Sequence, residues 1–507
     1  MNKTILCEIF LAMCLMLGCS SIWASQKYYI SSTGDDAANG LSEATAWKTF
    51  RNVNSKEFKA GDQILLKRGD KWIGEITPKG SGSEEQPILI GAYGEGEKPF
   101  IDGQGHVKAV VYLRNQSNWT IENLEVTNAA PERGYVYRNG IFVENDNAGV
   151  QRNIKILNNY VHHVTSSFRY SYEFHPHQFG GISVNVSHTG KGTDKFHNVL
   201  IEGNTVENVG RTGIVVWDHA FTKYDEASIG VVIRKNSVKD TDSDGILSYG
   251  CDGALIEYNV CNGAGSYRED GGFNGSAGIW CTRGKNCIIQ YNEAYNTRKL
   301  EGNADGMGFD IDMDAIDCIV QYNYSHDNDG GFMLIIDGSF SSGSIVRYNI
   351  SQNDKSRVFM LAGGMTPNTK IYNNTIYIKE GLDTKLIDHE WDDGGDINAP
   401  WIFKNNLIYN FGSGEIKIPG TGGIFSHNIY YGKHPSGEPN EPTKIIKDPL
   451  LQNPGTGTFG LNSLSGYTPQ KKSPALKAGF VIDHNGGKDF FGSPVTVYDK
   501  PTIGAIN

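Results

Sequence analysis

Acidic side chains recur at every second position in one segment of the chain, GNADGMGFDIDMDAIDC, residues 302–318. Successive side chains of a strand point to opposite faces, so this segment predicts Met307 on the core side and a row of acids on the other. The acids of that outer row are Asp310, Asp312 and Asp314. Such a row can serve acid–base chemistry, bind a cation, or simply be solvated surface.

Acids from two parts of the chain are predicted to meet within the width of one substrate. Residues two apart on a strand are separated by about 6.6 Å, and neighbouring strands by about 4.8 Å. Glycosidases use two carboxyl groups about 5 to 9.5 Å apart, and crowding raises the pKa of one of them. We therefore predict a first catalytic pair, Asp310 with the loop residue Asp270, and a second pair, Asp305 with Asp312.

Aromatic residues on the same outer face predict a surface for carbohydrate. Trp217, Tyr249 and Trp280 lie on consecutive repeats, and flat rings with a polar tip suit the faces and hydroxyls of sugars. The alternative is that a long loop covers them as a small secondary core. The polar residues predicted to contact substrate are His175, His177, Asp244, Arg268, Glu269 and Arg283.

A repeat through the middle of the chain predicts how these residues are positioned. Short apolar strands such as IKILNN, VLIEGN and CIIQYN end at an Asn, and most are followed about a dozen residues later by a second strand such as GIVVWD or GIWCTR. Two strands per coil predict an all-β, right-handed parallel β-helix with a ladder of Asn side chains. Aligning the second strands places Met307 beside Ile279 in a core column. The same alignment places Asp310 in the outer column of Trp217 and Tyr249.

The predicted organisation has four parts. Residues 1–24 resemble an export signal, or a lipoprotein signal ending before Cys19, because a short apolar run precedes small residues. Residues 25–102 form an N-terminal cap and the first coils, 103–431 the β-helix with the catalytic face, and 432–507 a closing segment. We expect an exported protein that is periplasmic, an outer-membrane lipoprotein with a lipid anchor at Cys19, or secreted.

Composition narrows the function classes. The 507 residues include 62 Gly and carry a formal charge of −11, which indicates a turn-rich globular protein and argues against a nucleic-acid partner. The apolar run near the N-terminus is short for a bilayer span, and no second candidate follows.

The five cysteines after the signal lack the spacing of a zinc site, so we expect them to be buried as small apolar residues. They are Cys251, Cys261, Cys281, Cys287 and Cys318.

A family resemblance supports the same fold. The opening YYISSTGDDAANGLSEATAWKTF, the later AGDQILLKRGDKW and GSGSEEQPILIGAYGEGEKPFIDG, the Asn repeats and the closing IGA resemble secreted bacterial β-helix proteins that degrade polysaccharides. This pectate lyase-like superfamily includes lyases and hydrolases, so the resemblance implies the fold more strongly than the reaction. Among its hydrolases, the chain is similar to the fucosidases and xylanases of glycoside hydrolase family 141.

Three functions follow as expectations. The first is a glycoside hydrolase that cleaves a plant cell-wall or similar glycan with paired carboxylates, acts as a monomer and requires no cofactor. The second is a polysaccharide lyase that uses the acids to bind Ca²⁺. NADGMGFD resembles a motif of calcium-dependent pectate lyases that have Lys where this chain has Asp310, which favours hydrolysis. The third is a non-catalytic glycan-binding surface protein.

Overall fold

The computed structural model describes residues 25–169, 175–187, 193–218, 227–270, 272, 275–301, 305–336, 338–363, 367–390 and 399–507. The predicted export signal and the anchor position Cys19 lie outside these residues. Within the described residues, no helix is both long enough and apolar enough to span a bilayer.

Three long parallel sheets form the molecule, and the central coils contribute a strand to each sheet in turn, whereas the first and last coils contribute none to the third sheet. The first sheet contains β1 (Lys27–Ile30), β2 (Gln63–Lys67), β4 (Ile88–Tyr93), β7 (Trp119–Glu122), β10 (Val150–Leu157), β13 (Lys195–Glu202), β16 (Ser228–Arg234), β19 (Cys251–Asp252), β20 (Leu255–Glu257), β23 (Ile288–Gln290), β26 (Ile319–Gln321), β29 (Ile345–Arg347), β32 (Lys370–Tyr372), β35 (Trp401–Lys404) and β37 (Gly423–Ser426).

The second sheet contains β3 (Lys71–Ile73), β5 (Phe100–Asp102), β8 (Glu125–Asn128), β11 (Tyr160–Val164), β14 (Thr205–Val209), β17 (Ser237–Lys239), β21 (Val260–Asn262), β24 (Glu293–Tyr295), β27 (Tyr324–His326), β30 (Ile350–Gln352), β33 (Thr375–Ile378), β36 (Leu407–Asn410) and β38 (Ile429–Gly432). The third sheet contains β6 (Ala109–Arg114), β9 (Asn139–Asn145), β12 (Gly180–Val186), β15 (Thr212–Asp218), β18 (Asp244–Tyr249), β22 (Ala277–Thr282), β25 (Met307–Ile311), β28 (Gly331–Ile336), β31 (Arg357–Ala362) and β34 (Lys385–Glu390).

The coils have three strands where the sequence predicts two. The repeated segments IKILNN and GIVVWD form strands of the first and third sheets, so the predicted parallel β-helix is confirmed. The second sheet was missed because many of its strands are three residues long. A strand such as β17 or β21 has a single buried residue between two more exposed ones, which leaves no alternation to read.

The register of the third sheet differs from the predicted alignment by two residues at β25. Ile279 pairs with Phe309, and Met307 pairs with Ala277. Phe309 belongs to the main core, whereas Met307 packs in a separate cluster with Leu334. A shift of two preserves the alternation of faces, so Asp310 keeps its outward side but changes neighbours.

A ladder of buried asparagines follows the turn between the first and second sheets, as predicted. Each side-chain amide donates to the Oδ1 atom of the next Asn at 2.9–3.3 Å. The left-handed residue of each turn is the one before the ladder Asn, as at Lys235 and Tyr258, so amide bonding rather than backbone conformation selects Asn. The ladder residues are Asn159, Asn204, Asn236, Asn259, Asn292, Asn323, Asn349, Asn374, Asn406 and Asn428.

Residues 433–507, which we call the strap, contain little regular structure and pack across the outside of the later coils. Strap residues such as Leu464 and Ile503 share a cluster with Tyr322 and Tyr348 of the turns between sheets. The Glu293 carboxylate accepts from the Gly460 amide at 3.0 Å. The helical turns among the described residues are short: α1 (Arg51–Ser55) and the 3-10 turns Glu43–Thr45, Pro176–Gln178 and Leu461–Tyr467.

Candidate active site

The outer face of the third sheet presents two columns of side chains. Strand pairing places Leu247, Trp280 and Asp310 in one column on consecutive coils. The other column contains Trp217, Tyr249 and Thr282. Asp310 therefore lies beside Trp280, and not in the column of Trp217 where the sequence alignment placed it.

Three aspartates gather at the outer side of β25. Asp310 lies within the strand and is 4% exposed, whereas Asp305 and Asp312 lie just before and just after it and are half-buried. The Oδ1 atoms of Asp305 and Asp310 are buried and have no hydrogen-bond partner among the described residues. Buried carboxylate oxygens are normally paired, so two unpaired ones in one group make these aspartates candidates for a functional site.

Burial and mutual repulsion raise the pKa values of all three acids. Burial raises the pKa of Asp305 to about 7, and the charges of Asp312 and Asp244 add to the effect. Burial also raises the pKa of Asp312 to about 6. The pKa of Asp310 lies well above its ordinary value, first because of burial and then because of Asp312 and Asp305. Near neutral pH the group therefore contains both proton donors and a proton acceptor.

Asp244 is the fixed negative charge of the site. Its Oδ2 atom lies 2.6 Å from His177 Nδ1 and 3.5 Å from Arg211, and its Oδ1 atom accepts from the Ala277 amide at 3.2 Å. Burial opposes ionisation, but His177 and Arg211 outweigh it and hold the pKa of Asp244 below its usual value. The predicted substrate contact Asp244 is fully buried, so its influence on the acids is electrostatic.

His177 is neutral at this position. Burial, followed by the nearby Arg211 charge, lowers its pKa to about 4. A neutral imidazole has one N–H, and donation from Nδ1 to Asp244 leaves Nε2 to accept from Arg211 at 3.1 Å. His177 therefore connects the 175–179 loop to the base of the acidic group.

The predicted aromatic residues form a packed wall beside the acids. Trp217 and Tyr249 stack with ring centroids 3.9 Å apart, and His175 stacks on Trp217 at 5.2 Å. Trp217 and Trp280 are only 4% and 5% exposed, so the expectation of a solvent-facing strip is wrong for both residues. The 175–179 loop covers them. This arrangement corresponds to the alternative prediction, in which a loop covers these residues as a small secondary core. Trp280 Nε1 is buried without a hydrogen-bond partner in the described part of the chain.

The 262–277 region does not bring its acids to the group. The Asp270 side chain is 94% exposed and lies 3.4 Å from Arg268. Glu269 forms an ion pair with Arg169 at 3.0 Å. Asp310 and Asp270 are thus not assembled as a pair in this structure, because Asp270 points to solvent. The second predicted pair, Asp305 with Asp312, is the one that the structure brings together.

Three arginines surround the acids, and only one of them belongs to the predicted set. Arg283 lies 3.5 Å from Asp314 and acts on Asp312, whose pKa it lowers. Arg211 and Arg357 are almost fully buried and their charges also reach Asp305. The sequence signal for these two was available, because each stands at or just before a strand of the third sheet, where an apolar or small residue is usual.

The cysteines are buried, as expected, and three of them converge inside the coils. The sulfur atoms of Cys281, Cys287 and Cys318 lie within 4.8 Å of one another. Among the described residues, this is the only group of His, Cys, Asp or Glu side chains close enough to share a metal ion. The acidic site does not form such a group. Cys287 and Cys318 face backbone carbonyls at 3.4 and 3.5 Å, as expected for thiols that pack as small apolar side chains.

Comparison with known proteins agrees with this architecture. The right-handed β-helix region family model matches residues 194–378. Lacto-N-biosidase from Bifidobacterium longum subsp. longum is 27% identical over 596 aligned positions, which cover 94% of this chain. The chain spans about a third of that relative, 36% of its length.

Solved structures give the same result. The crystal structure of GH136 lacto-N-biosidase from Eubacterium ramulus superposes with a TM-score of 0.65 and 26% identity, covering 76% of this chain and 68% of that one. The complex of XylC with xylose shares the fold with a TM-score of 0.56 at 12% identity, over 95% of this chain and 98% of that one. Together with the three parallel sheets, these likenesses identify the chain as a right-handed parallel β-helix protein related in sequence and fold to lacto-N-biosidases.

Proposed function

We propose that the chain is a glycoside hydrolase that acts on an oligosaccharide, with Asp305 and Asp312 as its two catalytic carboxyls. The observation that carries the proposal is the pair itself. Both side chains are half-buried at the two ends of β25, and their pKa values of about 7 and about 6 bracket a narrow range near neutrality. Two neighbouring acids with pKa values near neutrality are suited to acid and base roles.

The two carboxyls divide the reaction between them. Asp305 has the higher pKa of the two, so it is the proton donor to the glycosidic oxygen as the bond to the anomeric carbon breaks. Asp312 has the lower pKa and is the more readily ionised, so it either attacks the anomeric carbon or removes a proton from the attacking water. Water is the only other reactant that this hydrolysis requires.

The remaining groups bind and orient the sugar. Asp310 stays protonated because of its burial and its charged neighbours, so it offers a hydroxyl donor between the two catalytic carboxyls. The unpartnered Trp280 indole N–H, beside Asp310 in the same column, offers a second donor. A site built to satisfy substrate hydroxyls leaves such groups unpaired until the sugar binds.

The relatives support a hydrolase and suggest its substrate. Both named relatives are lacto-N-biosidases, and their likeness extends over most of this chain. We therefore propose a glycan containing the lacto-N-biose unit as the first substrate to test. The plant cell-wall substrate stays a prediction, as do the extracytoplasmic location and the monomeric state.

The test is hydrolysis by the purified mature protein of an aryl lacto-N-bioside, with xylan and pectic glycans in parallel. We expect release of the aryl group or new reducing ends, no ultraviolet absorbance from unsaturated uronate, and no loss of activity with chelator. Asp305→Asn should reduce kcat by about 10²- to 10⁴-fold, the usual contribution of a general acid.

Asp270→Asn is the matched control, because it removes one carboxyl of the same type from an exposed position. Its activity should stay within about twofold of wild type, since surface charges act weakly on a distant site. Absorbance of unsaturated uronate would instead indicate elimination. Full activity of Asp305→Asn would remove the assignment.

A further inference from the structure

We propose that a hollow on the N-terminal side of the third sheet binds distal sugars of the same glycan chain. The hollow lies between Phe179 and the two segments that precede β6 and β9, residues 105–108 and 135–137, and its volume is about 360 Å³. Cavities of about 300 to 1,000 Å³ hold small ligands. This inference rests on the proposed function in that the ligand is the glycan whose other part occupies the acidic site.

Aromatic rings supply the walls of this hollow. Tyr137 stacks on Phe179 with ring centroids 4.7 Å apart, and both residues line the hollow. Behind them, Tyr112 and Phe142 belong to the same apolar cluster as Phe179. Tyr135, which also lines the hollow, is 72% exposed. An exposed ring at a concave surface is typical of a binding site, and its flat face suits a sugar ring.

The polar groups of the hollow indicate a neutral sugar. The Lys108 ammonium lies 2.9 Å from the Glu144 carboxylate and 4.8 Å from the Phe142 ring centroid, and Tyr112 donates to Glu144. Because these charges are balanced, the surface offers hydroxyl-binding donors and acceptors with little net attraction for an anion.

The 175–179 loop is the ridge that separates the hollow from the acidic site. On one side His177 contacts Asp244, and on the other Phe179 lines the hollow. The loop is anchored from below, since Asn185 Nδ2 donates to the Gln178 carbonyl at 2.8 Å. The strand order from β9 to β25 gives five steps, or about 24 Å at about 4.8 Å each, so only a chain of several sugars reaches both places.

The experiment compares a short with a long substrate. We expect Tyr135→Ala to lower kcat/KM for a long lacto-N-biose-terminated oligosaccharide by about threefold to tenfold, the size of one aromatic contact, while the aryl lacto-N-bioside is hydrolysed at an unchanged rate. Tyr498→Ala is the control, because Tyr498 is a still more accessible tyrosine of the strap, 92% exposed. It should change neither rate.

Direct binding makes the test independent of turnover. Calorimetric titration of the Asp305→Asn variant with the long oligosaccharide should give a several-fold weaker Kd when Tyr135→Ala is added, and no change for the short glycoside. Equal effects of Tyr135→Ala on both ligands, or on neither, would overturn the inference. Absence of hydrolysis with a retained Tyr135-dependent binding would refute the proposed reaction alone, and absence of any binding would refute the distal site.

Discussion

Two stacks of buried polar side chains run along this β-helix, and they differ in whether their hydrogen bonds are complete. In the Asn ladder, each amide donates to the next Asn and to a backbone carbonyl, as Asn292 does at 3.1 and 2.9 Å. In the acidic group of the third sheet, Asp305 and Asp310 each keep a buried oxygen without a partner among the described residues.

The difference distinguishes polar groups that stabilise the fold from polar groups kept for a ligand. A buried network in which every hydrogen bond is formed supports the fold at little cost in free energy. Unpaired buried oxygens and crowded carboxyls, in contrast, cost free energy. Such a cost persists where function requires it. The ladder and the acids come from the same coils, so each can be altered while the other serves as the reference.

The largest expected effect is on activity, from the acidic stack. Asp312→Asn removes the group that attacks or activates water and should lower kcat by about 10²- to 10⁴-fold. The fold should be intact, because Asp312 accepts a hydrogen bond from the Met313 amide at 2.6 Å, which the Asn oxygen can accept as well. Turnover of the lacto-N-bioside and the thermal midpoint are measured together. A large drop in the midpoint would assign Asp312 to structure instead.

The ladder should respond in the opposite way. Asn292→Ala removes the side chain that joins Asn259 to Asn323 and leaves buried N–H groups of Asn259 unpaired. We expect a loss of about 2 to 4 kcal/mol in the free energy of unfolding, from one to two unsatisfied buried groups and lost bonds. Denaturant unfolding measures it, with exposed Asn462→Ala as control. Activity per folded molecule should be unchanged, and a selective loss of kcat would contradict the comparison.

Neutralising the buried acid should stabilise the protein. The pKa of Asp310 is raised in the folded protein. The contribution of Asp310 to the free energy of unfolding is therefore fully present below the ordinary carboxyl pKa and is lost as pH rises through the pKa of the folded state. Asp310→Asn should therefore raise the free energy of unfolding at pH 7, because the amide carries no charge that burial and the neighbouring acids oppose. The gain should shrink toward pH 4. Unfolding curves at both pH values decide this, and an equal gain at pH 4 would exclude the electrostatic cause.

The smallest expected effect is a shift in pH dependence. Activity should rise as Asp312 ionises near pH 6 and fall as Asp305 loses its proton near pH 7. Asp244→Asn removes a negative charge that raises both pKa values, so both limbs should move to lower pH by about half a unit to one unit. The kcat/KM profile measures this. If activity falls but neither limb of the pH profile moves, Asp244 acts only by holding His177 in place.

The sequence predicted the repeating parts of the molecule better than the parts that occur once. The first and third sheets and the Asn ladder recur from coil to coil, so period-two patterns and the recurring Asn revealed them. The register at β25 was wrong by two residues, because a shift of two leaves the pattern of faces intact. Asp310 and Asp312 were predicted to lie together from the alternation in residues 302–318, the segment that also contains Asp305.

The catalytic partner was harder to predict because it depends on loops. Asp270 was placed beside Asp310 on the assumption that its loop folds over the sheet, whereas its side chain points to solvent. The burial of Trp217 and Trp280 depends on the 175–179 loop. The path of this loop cannot be read from its amino-acid composition. The effect of Arg211 and Arg357 on the acids was also not predicted, because both residues are far from the acids in sequence.

The strap changes how this molecule is expected to unfold. A plain solenoid couples each coil only to its neighbours, so its ends fray and its middle can melt in steps. Here residues 433–507 contact coils that lie several repeats apart, from the Glu293 contact at Gly460 to the Asn405 contacts at Phe480. Those coils, which include the neighbours of β25, are therefore tied into one cooperative unit. The geometry of the acidic group is thereby insulated from local opening of the helix.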